Sequence, residues 1–375
     1  MVRATVLHEK RRVAPPPLDG GSEEVARLIE TYFNAFNAAR LREACQLLVK
    51  TLDDGALVGV SLSGALTPAG LSSVLVPMMH AGLIDYVSST GANLYHDLHF
   101  DLGHSIYRGG ADVATGGVDV KLRKEGIIRI YDLLFRAEVL YKTDEWVYRV
   151  LMSDEFRGKT MGTAELHNRI GRYALETARQ TGARPSILAT AYDLAIPVYC
   201  PSPGDSTLGM NVAALYASGR QTGPVVDPSI DVTEMAALVL GGKRGGSPSS
   251  VVIFGGGAPK NFLLQTEPQI QEILGIEEKG HDVMIQFTDA RPDTGGLSGA
   301  TPAEAVSWGK IDPEKLPGCV VCYVDSTIAM PLLGAYVMAR AKRRRPRRLF
   351  DGRPDMVAAL QREYAKSEIF KRYFG

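Results

Sequence analysis

The sequence is poor in cysteine, lacks a long apolar run and carries no net charge. Its 375 residues include four cysteines, Cys45, Cys200, Cys319 and Cys322, too few for a disulfide scaffold at this length. No apolar run reaches the roughly 18 residues that a membrane helix needs, and Met1–Pro17 lacks the apolar centre of a secretory signal. Because Lys+Arg and Asp+Glu balance at 42 each, no global field attracts nucleic acid or an anionic membrane. These absences favour a cytoplasmic protein that binds neither.

Two groups of residues invite a metal interpretation. Cys319-Val-Val-Cys322 has the spacing of a redox or zinc pair. However, it lies in an apolar run that predicts a strand, where positions three apart face opposite sides, and no second pair completes a site. His96, His99 and His104 form the other group, but their spacing fits no closed zinc pattern. We therefore predict reduced core cysteines, histidines with a structural or substrate-facing role, and no metal.

The chain begins with a segment unlike the rest. Residues 1–21 are charged, then rich in proline, then end in two glycines, which predicts a flexible N-terminal arm. Residues 22–375 show no linker and are predicted to form one domain. Within it, short buried strands alternate with helices, so we predict an α/β fold, an open and mostly parallel Rossmann-like sheet with helices on both faces. The predicted strands are Ala56–Leu62, Ile84–Ser89, Leu194–Cys200, Val225–Val226, Ser250–Phe254, Val283–Phe287 and Cys319–Val324.

The loops that follow these strands are predicted to form the binding edge of the sheet. In open α/β sheets, ligands bind beyond the carboxyl ends of the strands. Small residues there let backbone amides approach a pyrophosphate at a helix N-terminus. The glycines of these loops do not have the GxGxxG spacing of the common dinucleotide-binding motif. The loops are Ser63–Thr67, Thr90–Asn93, Pro203–Asp205, Gly255–Gly257, Thr288–Ala290 and Asp325–Ser326.

Lys310 is the candidate nucleophile. A lysine attacks carbonyls and imines only as the neutral amine, which burial or a neighbouring cation makes available by lowering its pKa. Trp308 is placed to exclude water from the amine, Gly309 lets the backbone approach a ligand, and Glu304 is placed to hold a cationic substrate. The simpler explanation is a surface lysine after a glycine at a helix end, and spacing alone favours it.

A basic run at Arg340–Arg348 follows the last clear helix pattern. Such a run is compatible with a nucleic acid or an acidic partner. A solvated helix end that complements the helix dipole is the favoured explanation, because the chain is otherwise neutral.

Four motifs, in a fixed order along the chain, favour a nucleophilic Lys310 over an ordinary surface lysine. They are Ser88–Asn93 with His96-Asp97 (SSTGAN…HD), Phe254–Asn261 (FGGGAPKN), Glu304–Ile311 (EAVSWGKI) and Tyr323–Ser326 (YVDS). These segments resemble the deoxyhypusine synthase family in the same order along the chain, and the resemblance covers about residues 57–335.

The resemblance implies a particular chemistry. Members of that family transfer a 4-aminobutyl group from spermidine to an acceptor amine. NAD takes a hydride from the carbon beside the secondary amine and later returns it, so that no net oxidation occurs. In between, an active lysine holds the butyl group as an imine, and by position this lysine is Lys310. The family also implies a homotetramer, so we expect NAD as cofactor, a polyamine-like substrate and a homotetrameric assembly.

The resemblance also places individual residues. Glu304 and Trp308 fall on the substrate side, as an ammonium partner and a cation–π contact, together with His96 and Asn261. The glycines on the cofactor side also have a structural explanation, because tight turns require them. A helix cap is the structural explanation for Asp205. Both explanations are compatible with a role in cofactor binding. The cofactor-side positions are Gly64, Ala65, Leu66, Thr67, Pro68, Thr90, Gly91, Ala92, Asp205, Gly256, Asp289, Ala290, Asp325 and Ser326.

Five positions depart from the family pattern. Tyr95 and His96 stand where protein-modifying members have paired glutamates, Met210 and Leu297 stand at acidic positions, and Asn261 replaces a histidine. Several anchors for a polycation are therefore missing, which favours a small-molecule aminoalkyl transferase similar to homospermidine synthase. The alternatives are a deoxyhypusine synthase acting on a translation-factor lysine, a noncatalytic NAD-binding protein and, less favoured, a dehydrogenase with net hydride transfer.

Overall fold

The computed structural model describes residue 7 and residues 11–114, 116–220 and 223–375. The strands are β1 Leu57–Leu62, β2 Tyr86–Ser89, β3 Tyr107–Arg108, β4 Ile127–Ile130, β5 Leu133–Arg136, β6 Thr160–Met161, β7 Val198–Tyr199, β8 Val225–Val226, β9 Ser249–Phe254, β10 Val283–Thr288 and β11 Cys319–Tyr323. The helices are α1 Glu23–Tyr32, α2 Phe36–Asp53, α3 Ser72–His80, α4 Gly91–Asp101, α5 Ala111–Ala114, α6 Asp119–Lys124, α7 Ala137–Leu151, α8 Thr163–Thr181, α9 Ile187–Leu194, α10 Thr207–Ala217, α11 Pro228–Arg244, α12 Gly257–Pro268, α13 Pro302–Ser307, α14 Ser326–Arg340, α15 Arg353–Tyr364 and α16 Glu368–Phe374.

The central sheet has six strands in the order β11-β10-β9-β1-β2-β7, and every pair in it is parallel. Its register sets Leu57 beside Ser249 and Gly59 beside Tyr86. The chain therefore winds outward from β1 in both directions, as in doubly wound folds. The six loops predicted to form the binding edge each follow one of these six strands, so the predicted fold and the position of these loops are confirmed.

Both faces of the sheet are covered by helices. Successive strand residues point to opposite faces, and the core divides accordingly. Val58 and Val252 pack in one cluster with residues of α2, α3, α8 and α9. Leu57 and Val251 pack in a second cluster with residues of α11, α12 and α15. The continuous apolar runs in the sequence follow from this two-sided burial.

Several element boundaries differ from the sequence prediction. The helix after β1 begins at Ser72, because Gly70 adopts φ +82° and separates it from the 3-10 turn Thr67–Ala69. The connection from α11 to β9 is short, since α11 continues to Arg244 and β9 begins at Ser249. The strand Val225–Val226 exists but pairs with β6 outside the central sheet.

Part of the predicted arm lies against the domain. Val13 N donates to Ile106 O at 2.8 Å, and Leu18 N donates to Ser73 O at 2.9 Å. Arg184 Nη1 donates to Pro15 O at 2.9 Å. Residues 1–6 and 8–10 of the arm lie outside the described residues. The described part of the arm thus contributes to the surface around β3 and α3.

The basic run pairs with acids of the same chain. Arg340 binds Glu23 and Glu30. Arg344 and Arg347 both bind Asp85, whose side chain is buried, at 3.1 and 3.4 Å. The charges of these arginines are thus engaged in the fold. The predicted solvated helix end is wrong for Arg344 and Arg347, because α14 ends at Arg340 and both pair with a buried carboxylate. Within the described residues, no helix has both the length and the apolarity to cross a membrane.

Candidate functional site

Asn93 joins the first two loops at the carboxyl edge. Its side chain is fully buried, and its Oδ1 accepts hydrogen bonds from Leu66 N at 2.6 Å and Thr67 N at 3.2 Å. Its Nδ2 donates to Thr90 Oγ1 at 3.0 Å, while Thr90 Oγ1 donates to Gly64 O at 2.6 Å. The candidate cofactor residues after β1 and β2 are therefore held together by one amide, whose role the sequence analysis did not identify.

Two serines fix the glycine loop after β9. Ser63 Oγ accepts from Gly256 N at 3.1 Å and donates to Gly256 O. Ser298 Oγ accepts from Gly257 N at 3.0 Å. A Cβ on Gly256 would lie 2.4 Å from Ser298 Cα, so only glycine fits there. The loop is closely packed against two neighbouring segments.

The exposed carboxylates at this edge have different local roles. Asp325 is the N-cap of α14, where it accepts from Thr327 N at 2.8 Å. Asp205 is exposed in the 3-10 turn after β7, and the helix cap suggested for it is wrong, because Ser206 caps α10. Asp289 is exposed beyond β10. Asp205 and Asp289 are thus available to ligand hydroxyl or amino groups.

The edge fits a dinucleotide. α4 and α12 both begin at this edge, after β2 and β9, and helix N-termini favour phosphate. Gly64 and Gly257 have φ of +65° and +61°, and a Cβ on either would meet no atom within 4 Å. The backbone therefore borders open space at the point where a pyrophosphate would approach. The residues named above can hold such a cofactor through backbone amides and the exposed carboxylates.

Lys310 opens into a cavity of about 260 Å³ beside this edge. The cavity is lined by Lys260, Asn261, Leu264, Gln265, Leu297, Ala300, Glu304, Ala305, Trp308 and Lys310. Four predicted site residues, Asn261, Glu304, Trp308 and Lys310, are thus brought together. The cavity adjoins the glycine loop, because α12 begins at Gly257.

The amine of Lys310 has a defined environment. Its Nζ donates to Asn261 Oδ1 at 2.9 Å and lies 5.6 Å from the centre of the Trp308 ring. Burial lowers the pKa of Lys310, while the carboxylate of Glu304 acts in the opposite direction. Trp308 remains 62% exposed. Burial therefore makes the neutral amine, the form that attacks a carbonyl or imine, more accessible than it is for a lysine in water.

Lys260 is a second amine in the same cavity, and the sequence analysis did not select it. It is only 2% exposed, and its Nζ donates to Gln286 Oε1 at 2.9 Å and Ala300 O at 2.7 Å. Burial first, and then the charge on Lys310, lower the pKa of Lys260 to about 8. The signal was present in the glycine-loop motif, where Lys260 precedes Asn261.

His96 lies in a different environment. Its Nδ1 is 3.1 Å from His99 Nε2, and His99 Nδ1 is 2.8 Å from Thr143 Oγ1. Burial lowers the pKa of His96 to about 4, so it is a neutral imidazole near pH 7. His96 is not among the residues that line the Lys310 cavity. Its substrate role stays a prediction.

Two of the five positions that depart from the family pattern are exposed and apolar. Met210 is 62% exposed and Leu297 is 49% exposed, and Leu297 lines the cavity. Tyr95 is buried and donates to Asp144 Oδ1 at 2.8 Å.

Among the described residues, no three His, Cys, Asp or Glu side chains are grouped so as to hold a metal ion.

Comparison with known proteins gives consistent matches. The sequence profile of the deoxyhypusine synthase family matches residues 27–337. The chain is 53% identical over 357 residues to a "Deoxyhypusine synthase-like protein" of Nostoc punctiforme, covering 94% of this chain and 90% of that one. It is 35% identical over 319 residues to a "Probable deoxyhypusine synthase 2" of Methanosarcina acetivorans, covering 84% and 87% of the two chains.

Among solved structures, the fold is similar to that of an Entamoeba histolytica protein assigned as a deoxyhypusine synthase. The TM-score is 0.54 at 12% sequence identity, with 89% of this chain and 99% of that chain covered. At this identity the similarity concerns the fold alone.

Proposed function

Because the chain belongs to the deoxyhypusine synthase family, we propose that it is an NAD-dependent aminoalkyl transferase. It takes a 4-aminobutyl-type group from a polyamine-like donor, holds the group as an imine on Lys310 and passes it to an acceptor amine. We propose a small amine as acceptor and the homotetramer of the family as the assembly. The family suggests aminobutyl transfer; the donor, the acceptor and the covalent lysine are the proposal.

One observation carries this proposal. Lys310 Nζ is half-buried in a cavity, donates to Asn261 Oδ1 at 2.9 Å and has a lowered pKa because of that burial. A surface lysine would point into water and keep its proton at neutral pH. Both features instead support a lysine that is held still and is more readily deprotonated, as a covalent amine catalyst needs.

NAD, when bound, supplies the hydride acceptor and donor that convert the donor amine into an imine and reduce the product. The protein itself positions the cofactor and the substrate relative to Lys310. The loops tied by Asn93, Ser63 and Ser298 present a rigid backbone edge, and Lys310 lies in the cavity beside it. Glu304 is exposed at the cavity and holds the ammonium of the substrate. Trp308 covers the amine and limits access of water.

The charges of the cavity support a small substrate. Of the ten lining residues, Glu304 is the single acid, while Lys260 and Lys310 are basic. Leu297 adds apolar surface at a position where the family pattern has an acid. A polycation needs several carboxylates to replace its hydration. This cavity therefore suits an amine with few positive charges, and it supports a small-molecule acceptor over a protein lysine.

A trapping experiment tests the proposal. The full chain is incubated with NAD and labelled spermidine, putrescine or agmatine, treated with borohydride and mapped by mass spectrometry. We expect an alkyl adduct on Lys310 with at least one amine, because borohydride reduces the enzyme imine. Lys310→Arg should lose the adduct, since arginine does not form an imine. Lys366→Arg, at an exposed position that does not line the cavity, should retain it.

The alternatives give different results. NAD binding without any adduct on Lys310 would refute the transferase and favour a noncatalytic NAD-binding protein. Stoichiometric release of NADH would indicate a dehydrogenase, because the transferase returns the hydride to its product. An adduct from spermidine that is passed only to a protein lysine would favour deoxyhypusine formation.

A further inference from the structure

Lys260 lines the same cavity as Lys310 but has no role in the mechanism proposed above. It belongs to the first turn of α12, directly before Asn261. Its side chain is 2% exposed and still reaches the cavity that Lys310 lines. A buried lysine is rare because desolvation of the charged form is unfavourable. Its presence beside a second amine calls for a physical explanation.

The anchoring of Lys260 leaves one direction of its nitrogen free. Nζ donates to Gln286 Oε1 at 2.9 Å and to Ala300 O at 2.7 Å, its two acceptors among the described residues. Gln286 is oriented for this contact, because its Nε2 donates to Gly255 O and Ser298 O, both at 2.8 Å. A neutral amine has two N–H groups and a lone pair, whereas an ammonium has three N–H groups. Lys260 therefore gains or loses its third proton without breaking either anchor.

The amine exchange at Lys310 requires a group of this kind. When neutral Lys310 attacks the carbon of a protonated imine, the lysine nitrogen becomes positively charged and must lose a proton. The departing nitrogen must gain a proton before its bond to carbon breaks. Asn261, which contacts Lys310 Nζ, has no titratable proton. The titratable residues that line the cavity are Lys260, Glu304 and Lys310, and we assign Glu304 to the substrate ammonium.

We propose that Lys260 is the acid–base residue that carries the proton between the attacking and departing nitrogens at Lys310. The inference rests on the proposed covalent role of Lys310. Lys310 Nζ forms a bond to the carbon of the protonated imine and gives one proton to the neutral amine of Lys260. Lys260 gives the same proton to the departing nitrogen, the old C–N bond breaks with its electron pair on that nitrogen, and a protonated C=N bond to Lys310 remains. No proton or electron is consumed overall.

The protonation equilibrium of Lys260 suits this task. Burial and the charge on Lys310 lower its pKa to about 8, and Glu304 opposes this effect. An acid–base catalyst works best when its pKa lies near the working pH, since both forms are then populated. Lys260 and Lys310 share one cavity, so their protonation is linked, and the arrival of a cationic substrate favours loss of a proton from the pair.

Amine exchange can be measured without NAD. Butyraldehyde is allowed to form an imine at Lys310 of the full chain, butylamine is added, and samples are quenched with borohydride at intervals. Mass spectrometry of the Lys310 peptide then gives the rate at which the alkyl group leaves, from pH 6 to 10. Lys260→Gln and Lys260→Arg are compared with the wild type. Both replacements keep N–H donors for Gln286 and Ala300, and neither has a proton that leaves near pH 8.

We expect wild-type exchange to be fastest near pH 8, where both forms of Lys260 are populated. Both variants should exchange about 10²- to 10⁴-fold more slowly and lose this maximum, while Lys310 is still labelled at long times. Lys366→Met is the surface control and should behave as the wild type. Circular dichroism and thermal unfolding check that each variant is folded.

Two outcomes would overturn the inference. If Lys260→Arg keeps the wild-type rate, positive charge alone is sufficient and no proton transfer is needed. If the variants keep the wild-type pH profile, Lys260 has only a packing role. The proposed transferase function fails separately, when NAD and the natural-type amines leave no adduct on Lys310. Since the exchange assay uses no NAD, the two failures are distinguishable.

Discussion

Gly309→Ala tests whether the backbone next to Lys310 is as constrained as the structure shows. Gly309 has φ +67°, a left-handed conformation that alanine adopts at a cost of about 1–2 kcal/mol. A Cβ there would lie 2.8 Å from Gln271 Oε1. That amide cannot move freely, because Gln271 Nε2 donates to Gly309 O at 2.8 Å and to Glu267 Oε2 at 3.4 Å.

The magnitude follows from these two effects. The left-handed backbone contributes about 1–2 kcal/mol, and weakening a buried hydrogen bond contributes about 1 kcal/mol. Gly309→Ala should therefore lower the free energy of unfolding by about 2–3 kcal/mol. Gly182→Ala is the matched control, because Gly182 has φ +69° at the end of α8 and no atom within 4 Å of its added Cβ. The control should lose the backbone contribution alone.

The same change should reduce activity. Lys310 N donates to Ala305 O at 3.0 Å, and Lys310 O accepts from His281 N at 2.9 Å. A shift at Gly309 therefore strains a fixed neighbour and moves Nζ away from Asn261. A misplacement of about 1 Å can reduce a rate by about 100-fold. We expect slower borohydride-trapped labelling of Lys310 in Gly309→Ala and a wild-type labelling rate in Gly182→Ala.

Urea unfolding followed by circular dichroism gives the free energies, provided that the slope against urea is unchanged. Labelling of Lys310 is measured on the same samples under native conditions. If Gly309→Ala loses no more stability than Gly182→Ala and labels at the wild-type rate, the contact with Gln271 does not constrain the lysine.

Two further predictions concern buried polar groups. Asn93→Ala should lower the free energy of unfolding by about 2–4 kcal/mol, because it leaves the amides of Leu66 and Thr67 without acceptors; calorimetric titration should also show weaker NAD binding than for the wild type. Glu267→Gln tests the buried carboxylate whose pKa burial raises from 4.5 to about 7. Because the folded protein favours the protonated carboxyl, the stabilisation that the wild type has below pH 4.5 is lost as the pH rises through 7. The stability advantage of Glu267→Gln over the wild type should therefore grow over that interval, by up to about 3 kcal/mol, in urea unfolding at successive pH values. An advantage that does not change with pH would show that Lys243, 3.3 Å away, compensates the charge.

The gathering of the six loops at one edge of the sheet was predictable, because it depends on chain direction. A parallel strand that ends in small residues and leads into a helix places its loop at the same edge as its neighbours. Six such loops were read from the sequence, and the sheet order brings them together. The small antiparallel sheet of β3, β5 and β4 was not predicted, since two- to four-residue strands give too little alternation to be recognised.

The side-chain ties within the edge were not predictable in the same way. Asn93 and Ser298 are ordinary polar residues in the sequence, and their importance comes from partners 27 and 41 positions away. Lys260 was visible inside a recognised motif, but its burial depends on Gln286 and Ala300, which belong to later segments. Sequence periodicity reports which face a residue occupies and gives no information about which distant atom it meets.

The replacement at Asn261 shows how identity and geometry lead to different conclusions. From the sequence, asparagine in place of a histidine removes a titratable group, and it is one of the departures that leave a noncatalytic protein as an alternative. In the structure, Asn261 Oδ1 still holds Lys310 Nζ, and the neighbouring Lys260 has a pKa of about 8 in the same cavity. Positioning and proton transfer need not reside in one side chain, because consecutive residues in the first turn of a helix reach the same cavity. The departure from the family pattern is therefore compatible with catalysis, and the proposed activity depends on Lys260 and Lys310 together.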